Sequence, residues 1–195
     1  TYYKLYYILD NNFEYNQQLG KNILLGNSSS YTNNHLEAID RIASLDLSGR
    51  EIIAPLSYGN KRYAKQIIKY GKSLLNDNFY PLMEFLSLTE YNKVLQSCGI
   101  VIMNHFRGQA AGNVLYSLYR GSKLFMSEKS TIYKYLERLG CYIYSIEKEL
   151  TPDNDEALSL LSEYQILHNK SIIYNEISEK VLIRSIQDGI MKHVR

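Results

Sequence analysis

The sequence predicts an α/β protein: a doubly wound, mostly parallel Rossmann-like sheet followed by a C-terminal helical tail. Three observations carry that prediction. Short apolar runs alternate about six times with segments of helical spacing. The run GIVIMN at 99–104 is nearly all apolar, as a strand buried on both faces requires. Most of the runs give way to glycine or small polar residues before the next helix begins, which is how successive βα units are punctuated.

Taken in order, NILLGNS reads as a buried strand at 22–25 running into a turn at Gly26. A helix is expected directly after it, with Asn34 as N-cap, Glu37 in capping-box position, and Leu36, Ile39 and Ala43 at helical spacing. A strand at 51–55 and a turn at Gly59 repeat the scheme, and Ala64, Ile67, Ile68, Gly71, Leu74 and Leu75 mark the face of the second helix. FYPLMEFL holds a third strand, after which Thr89 is expected to cap a helix carrying Tyr91, Val94, Leu95 and Cys98 and closed by Gly99. The central strand at 99–104 is broken by HFRGQAAGN before a helix from Ala110 to Tyr119, ended by Gly121. KLFMS, a helix from Ile132 to Leu139 with Gly140 behind it, and the strand CYIYSI complete the core.

From Thr151 the pattern changes. Thr151 and Pro152 have the residue types of N-cap and first helical position, and Asp153, Asp155 and Glu156 supply first-turn acids. A helical tail to Arg195 is therefore expected. Leu158, Leu161, Tyr164, Leu167, Ile172, Ile173, Ile177, Val181 and Leu182 give it an apolar face, with a join or kink near His168 to Ser171. The expected organisation is 1–21 as linker or remnant of an N-terminal domain, 22–150 as the Rossmann-like core, and 151–195 as helices packed on it.

Composition bounds the function. A chain of 195 residues with 45% hydrophobic and 22% charged residues has the balance of one compact domain. No apolar run approaches the roughly 20 residues that cross a bilayer, and TYYKLYYILDNN lacks the order of a signal peptide, so a cytoplasmic location is expected. A net charge of +2 with scattered basic residues argues against a nucleic-acid partner. Cys98 and Cys141 sit inside apolar patterns and read as buried thiols; no metal is expected. Tyr2, Tyr3, Tyr6 and Tyr7 open the chain and read as a cut edge that packed against something outside it, the alternative being a Tyr, Asn, Ile and Lys bias of genome composition spread along the chain.

In an open parallel sheet, ligands bind beyond the carboxyl ends of the strands. GNSSSYTNN, SYGNKR and NHFRGQAAGN each follow an expected strand. None is a strict G-x-G-x-x-G or P-loop, which disfavours nicotinamide and ATP. The densest stretch is Asn104-His105-Phe106-Arg107-Gly108-Gln109-Ala110-Ala111-Gly112-Asn113, which places imidazole, guanidinium and amides around one helix start. Arg107 is suited to clamp two phosphate oxygens and the helix dipole favours an anion, so the group fits a diphosphate. An equal alternative is that His105 and Asn113 are turn and cap residues satisfied by backbone. His35, Glu37 and Asp40 share the first helix, where Glu37 reads as a capping residue. Glu84 stands near a strand end and either meets a ligand hydroxyl or points to solvent. His168 and His193 have no carboxylate or cysteine cluster near them in the sequence.

Three of these stretches, ILLGNSSSYTNNHLEAI, APLSYGNKRY and NHFRGQAAGNVLYSLYRGSKLFMS, resemble in order and spacing the TDP-N-acetylfucosamine:lipid II N-acetylfucosaminyltransferase family, also described as 4-alpha-L-fucosyltransferase-like. The resemblance covers about residues 22–150. It implies the C-terminal, donor-binding half of a GT-B glycosyltransferase. It further implies transfer of 4-acetamido-4,6-dideoxygalactose from a TDP-sugar to an undecaprenyl-diphosphate-linked disaccharide, the lipid II of enterobacterial common antigen synthesis, at the cytoplasmic face of the inner membrane and without a cofactor. Carried over by position, Gly26, Asn27 and Ser28 match the first donor loop, Ser57, Tyr58 and Gly59 the second, and His105, Arg107, Gln109, Gly112 and Asn113 the third. By analogy Phe85, Leu86 and Tyr91 lie near the base. Only about 21 residues of this sequence precede these motifs, so acceptor contacts and the general base are expected from outside this chain, and apolar tail surface is expected to favour a homodimer. Alternatives of other classes are a non-catalytic nucleotide or sugar sensor and another nucleotide-sugar enzyme such as an epimerase.

Overall fold

A computed structural model describes residues 19–177 together with 183 and 187. The expectations at Tyr2, Tyr3, Tyr6, Tyr7, Val181, Leu182 and His193 lie outside the described residues. The strands are β1 (Ile23–Leu25), β2 (Ile52–Pro55), β3 (Phe79–Leu82), β4 (Ile100–Met103), β5 (Lys123–Met126) and β6 (Tyr144–Ser145). They form one sheet in the order β3-β2-β1-β4-β5-β6, and every pairing is parallel. Parallel pairing demands crossovers, supplied by helices α1 (His35–Ala43), α2 (Lys61–Leu75), α3 (Leu88–Ser97), α4 (Ala111–Arg120) and α5 (Thr131–Arg138). A sixth helix, α6, is described over Glu163–Ile177.

The period of two along each strand divides the core between the two faces. Ile100 and Ile102 of β4 join Ile23, Leu25, Ile39, Ile42 and Ile67 beneath α1 and α2. Val101 and Met103 join Leu24, Leu95, Val114, Leu118, Leu136 and Ile173 beneath α3 to α6. Both sets are almost wholly buried, and each such side chain contributes roughly 1.5–3 kcal/mol. Edge strand β3 buries Phe79 and Leu82 but leaves Tyr80 about half exposed, and its Pro81 is tolerated because an edge strand has a free side. Cys98 and Cys141 are buried free thiols, and burial pushes them up to about 12 and about 11 respectively.

Several expected boundaries move, each for a local reason. Asn34 precedes α1 in the left-handed region, at φ 47° and ψ 45°, and makes no side-chain cap. Ala43 is exposed, and the buried face of α1 is instead His35, Ala38, Ile39 and Ile42. Leu74 of α2 is likewise exposed. α3 is capped by Ser87, not Thr89, because Ser87 and Glu90 close a reciprocal capping box. Thr151 and Pro152 do not open a helix. The segment after them is held irregular by Lys123 Nζ donating to the Glu156 carbonyl at 2.6 Å and Arg50 donating to the Leu158 carbonyl at 3.0 Å. It buries Ala157, Leu158 and Leu161 and hands over to α6, whose start is boxed by Ser162 and Gln165. α6 runs unbroken through His168 to Ser171, since Asn169 both accepts from and donates to the Tyr142 backbone, at 2.7 and 3.0 Å, and Ile173 is buried. No described helix is long and apolar enough to cross a membrane.

Candidate functional site

Chain order reverses between β1 and β4, the two central strands, so the loops leaving their carboxyl ends part and open a crevice. The loop after β1 begins at Gly26, whose amide donates to the Ile102 carbonyl of β4 at 2.9 Å. A Cβ at Gly26 would lie 2.6 Å from His35 Nε2, so the missing side chain is what admits the imidazole. His35 is fully buried with both ring nitrogens unpartnered among the described residues. Burial drops its pKa from 6.5 to about 4.

Hydrogen bonds lock the two loops across the crevice. Asn34 Nδ2 donates to the Asn104 carbonyl at 2.8 Å, and Asn104 Nδ2 donates back to the Asn34 carbonyl at 3.2 Å and to Glu37 at 3.3 Å. Farther out, the Thr32 hydroxyl donates to Gln109 Oε1 at 2.7 Å while Gln109 Nε2 donates to Asn33 Oδ1 at 3.2 Å. Asn33, itself buried, donates to the Ser28 carbonyl at 2.9 Å. The loop after β2 is tied to the same frame: the Ser29 amide donates to the Tyr58 carbonyl at 2.7 Å and the Asn60 amide to the Ser29 carbonyl at 3.0 Å. Gly59 makes this approach possible at φ 116°, since a Cβ there would lie 2.8 Å from the Ser29 carbonyl carbon.

The loop after β4 carries the charge. His105 is fully buried with neither ring nitrogen partnered among the described residues, and burial, opposed by the nearby Arg107 backbone, lowers its pKa. Arg107 and Gly108 are exposed, and Phe106 is partly exposed beneath Lys129 Nζ at 5.2 Å. Ala110 then turns the chain into α4 in the left-handed region, at φ 55°, which is unusual for a residue with a Cβ. The first-turn amides of Ala111, Gly112 and Asn113 have no acceptor within the helix, and exposed Arg107 lies on the loop that leads into them, so this end of α4 is positive and anion-seeking. Replacing Ala110 with Gly should relieve the strain and stabilise the fold by about 0.5 kcal/mol, the net of left-handed strain removed and chain entropy added. Urea denaturation would register this as a higher midpoint at unchanged slope.

The other sequence-derived candidates have separate surroundings. Asn27 has a buried Oδ1 with no hydrogen-bond partner among the described residues, and Ser28 is buried against Asn33. Ser57 is half-buried, whereas Tyr58 is 72% exposed. Gly112 and Asn113 are half-buried in the first turn of α4. Phe85 is 78% exposed in the loop after β3, while Leu86 and Tyr91 pack partly against the core beneath α3 to α6. Strand β3 lies two strands from β1, about 10 Å across the sheet. Glu84 is exposed, Asp40 accepts a hydrogen bond from Tyr70, and His168 meets the Gly140 carbonyl at 2.9 Å. Among the described residues no His, Cys, Asp or Glu cluster could hold a metal.

Sequence reasoning did not single out Thr32, Asn33 or the reciprocal role of Asn104. It also missed Glu147, just past β6, which accepts from the Ser127 hydroxyl and from the Glu128 amide at 3.2 Å. Burial raises the Glu147 pKa, but these bonds outweigh it and hold the carboxyl below its ordinary value. Position just beyond a strand end was the one signal available for it. A cleft of about 360 Å³ bounded by Ser44, Asp46, Arg50, Asn154 and Asp155 lies at the opposite, amino-terminal end of the strands. The crevice at the carboxyl ends, with its amides and Arg107, is the candidate site.

The family described as 4-alpha-L-fucosyltransferase glycosyl transferase group 56 matches residues 7–158. Among solved structures, the chain is similar to the Candida albicans trehalose-6-phosphate phosphatase N-terminal domain, with TM-score 0.65 and 14% identity over 98% of this chain and 44% of that one. It is similar to AviGT4, a glycosyltransferase involved in avilamycin A biosynthesis, with TM-score 0.62 and 13% identity over 89% of this chain and 52% of that one. A structure described as E. coli trehalose-6-phosphate bound with UDP-2-fluoro glucose gives TM-score 0.56 and 15% identity over 91% of this chain and 46% of that one. Identities this low establish a shared fold. The chain spans about half the length of these proteins, at 44%, 52% and 46%.

Proposed function

This chain belongs to the 4-alpha-L-fucosyltransferase glycosyl transferase group 56 family, and from that premise we propose that it is the nucleotide-sugar-binding half of a glycosyltransferase. The observation that carries the reading is the locked crevice between β1 and β4, with Arg107 and the unsatisfied amides of α4 at one wall. A nucleoside diphosphate seats its phosphates there. As the bond between the sugar's anomeric carbon and the diphosphate oxygen breaks, negative charge grows on the leaving diphosphate. Arg107 and the α4 amides meet that charge, so they stabilise the transition state more than the ground state.

The finer reading is a TDP-sugar donor, with 4-acetamido-4,6-dideoxygalactose passed to an undecaprenyl-diphosphate-linked disaccharide at the cytoplasmic face of the inner membrane. The order of the three loop motifs supports it. Because the chain spans about half of the similar solved proteins, a second domain facing the crevice is proposed to bring the acceptor and the general base. On the loop after β1, Asn27 Oδ1, which has no hydrogen-bond partner among the described residues, is proposed as an acceptor for the donor.

Calorimetric titration with TDP, UDP and ADP tests the class. Selective binding of TDP supports the donor and its base; a folded sample that binds none of the three would sink the reading. Arg107→Ala should weaken nucleoside-diphosphate binding by about 2 kcal/mol, roughly thirtyfold, the scale of one charge-assisted contact. Exposed Arg107 supports no core packing, so the melting temperature should stay put.

A further inference from the structure

Resting on the donor-site reading above, we propose that Tyr31 is a stacking platform that receives the sugar ring of the nucleotide-sugar. The loop between β1 and α1 commits its other polar side chains from Ser28 to Asn34 to internal bonds. Ser28 pairs with Asn33, Ser29 donates to the Tyr58 carbonyl at 2.9 Å, and Ser30 shares a bond with Thr32 at 2.8 Å. Thr32 and Asn33 hold Gln109, and Asn34 holds the Asn104 backbone. Tyr31 is the one large side chain that this rigid frame holds out, 54% exposed.

Its ring is also backed. Tyr63, buried on α2, stacks beneath it with centroids 4.1 Å apart and an interplanar angle of 26°, and buried His35 meets Tyr63 edge-on at 5.9 Å. One face of Tyr31 is therefore occupied and the other is presented from the fixed loop that leaves the carboxyl end of β1. An aromatic face carries a negative quadrupole and attracts the weakly positive C–H groups of a pyranose face. Freezing the ring before binding removes the entropy cost that a loose surface tyrosine would pay on ordering. Thr32, the next residue, is bonded to Gln109, which sits just before the α4 amides that hold the diphosphate. The group next to the diphosphate at this wall is the transferred sugar, and its ring is what Tyr31 can reach.

The test separates the sugar from the rest of the donor. Wild type, Tyr31→Ala and Tyr31→Phe are titrated by calorimetry with TDP and with TDP-glucose, and with UDP and UDP-glucose in parallel, after thermal melting has shown each variant folded. Tyr31→Ala should weaken the nucleotide-sugar roughly threefold to tenfold, leave the free nucleotide unchanged, and be rescued by Tyr31→Phe. Equal weakening of nucleotide and nucleotide-sugar would move the contact to the nucleoside or diphosphate and overturn the platform. So would wild-type affinities in Tyr31→Ala. If the folded wild type binds neither nucleotide nor nucleotide-sugar, the donor-site reading falls and the platform falls with it.

Discussion

Acidification from pH 7 to pH 4 should remove about 3 kcal/mol of folding stability through His35 alone, given a pKa of about 4 in the fold against 6.5 in the unfolded chain. Between those two values the unfolded chain binds a proton at His35 that the folded chain refuses, so stability rises with pH across the window. It is fully present above about 6.5 and is lost as pH falls toward 4. The cause is the fully buried ring, which has no partner among the described residues to share an imidazolium charge. His105 adds a contribution of the same sign, because burial lowers its pKa as well. Glu90, Glu128 and Glu147, held below 4.5 chiefly by hydrogen bonds from Ser87, Lys148 and Ser127, stabilise the fold above that pH and lose this as pH falls below it, so they add to the slope only at its acid end. Chemical denaturation at half-unit steps from pH 7 to 4 reads the slope. His35→Leu should flatten most of it, leaving the share due to His105, and at neutral pH should cost little, since neither imidazole nitrogen has a hydrogen-bond partner among the described residues for the substitution to break. A midpoint that does not move with pH in the wild type would show that the ring is charged or solvated in the folded state.

Gly59→Ala should cost about 3 kcal/mol, combining backbone strain with a clash against atoms that have nowhere to go. At φ 116° an alanine is strained even in open space, and here its Cβ would lie 2.8 Å from the carbonyl carbon and 2.9 Å from the carbonyl oxygen of Ser29. Relief means separating the loops after β1 and β2, which breaks the Ser29-to-Tyr58 and Asn60-to-Ser29 backbone bonds. Gly140→Ala is the matched control: its φ is 78° but a Cβ would meet nothing within 4 Å, so only the strain, about 1 kcal/mol, should remain. Thermal melting should therefore drop by several degrees more for Gly59→Ala than for Gly140→Ala. Equal losses would mean that the two loops are not in close contact in solution. Because the crevice wall is built from the same loop, Gly59→Ala should also weaken nucleotide binding.

The candidate site was readable in the sequence to the extent that it depends on single residues near strand ends. Gly26, Gly59 and the stretch Asn104 to Asn113 stand out because glycine, amides and a guanidinium just after apolar runs are costly unless used. The bonds that make a site of them were not readable. Asn34 has the residue type and place of a helix cap, and nothing local reveals that its amide instead spans 70 positions to Asn104. Thr32 and Asn33 are ordinary loop residues until β1 and β4 become neighbours. Thr151 shows the same limit from the other side, since its local helix-start chemistry is overruled by Lys123 of β5 and Arg50 of the loop before β2, both distant in sequence.

The sequence by itself determined the six strands and the five helices that cross between them, the two-faced burial of the central strands, the identity of the loops at their carboxyl ends and the family. All of these follow from patterns repeated every two or 3.6 residues, or from short motifs, and such patterns are local along the chain. Only the tertiary structure decided that β1 and β4 lie side by side, that four amide side chains bolt their loops together, and that His35 and Tyr31 take opposite roles on one short segment. Those outcomes depend on which distant residues a side chain meets, and hydrogen bonds and burial assign partners by position in space.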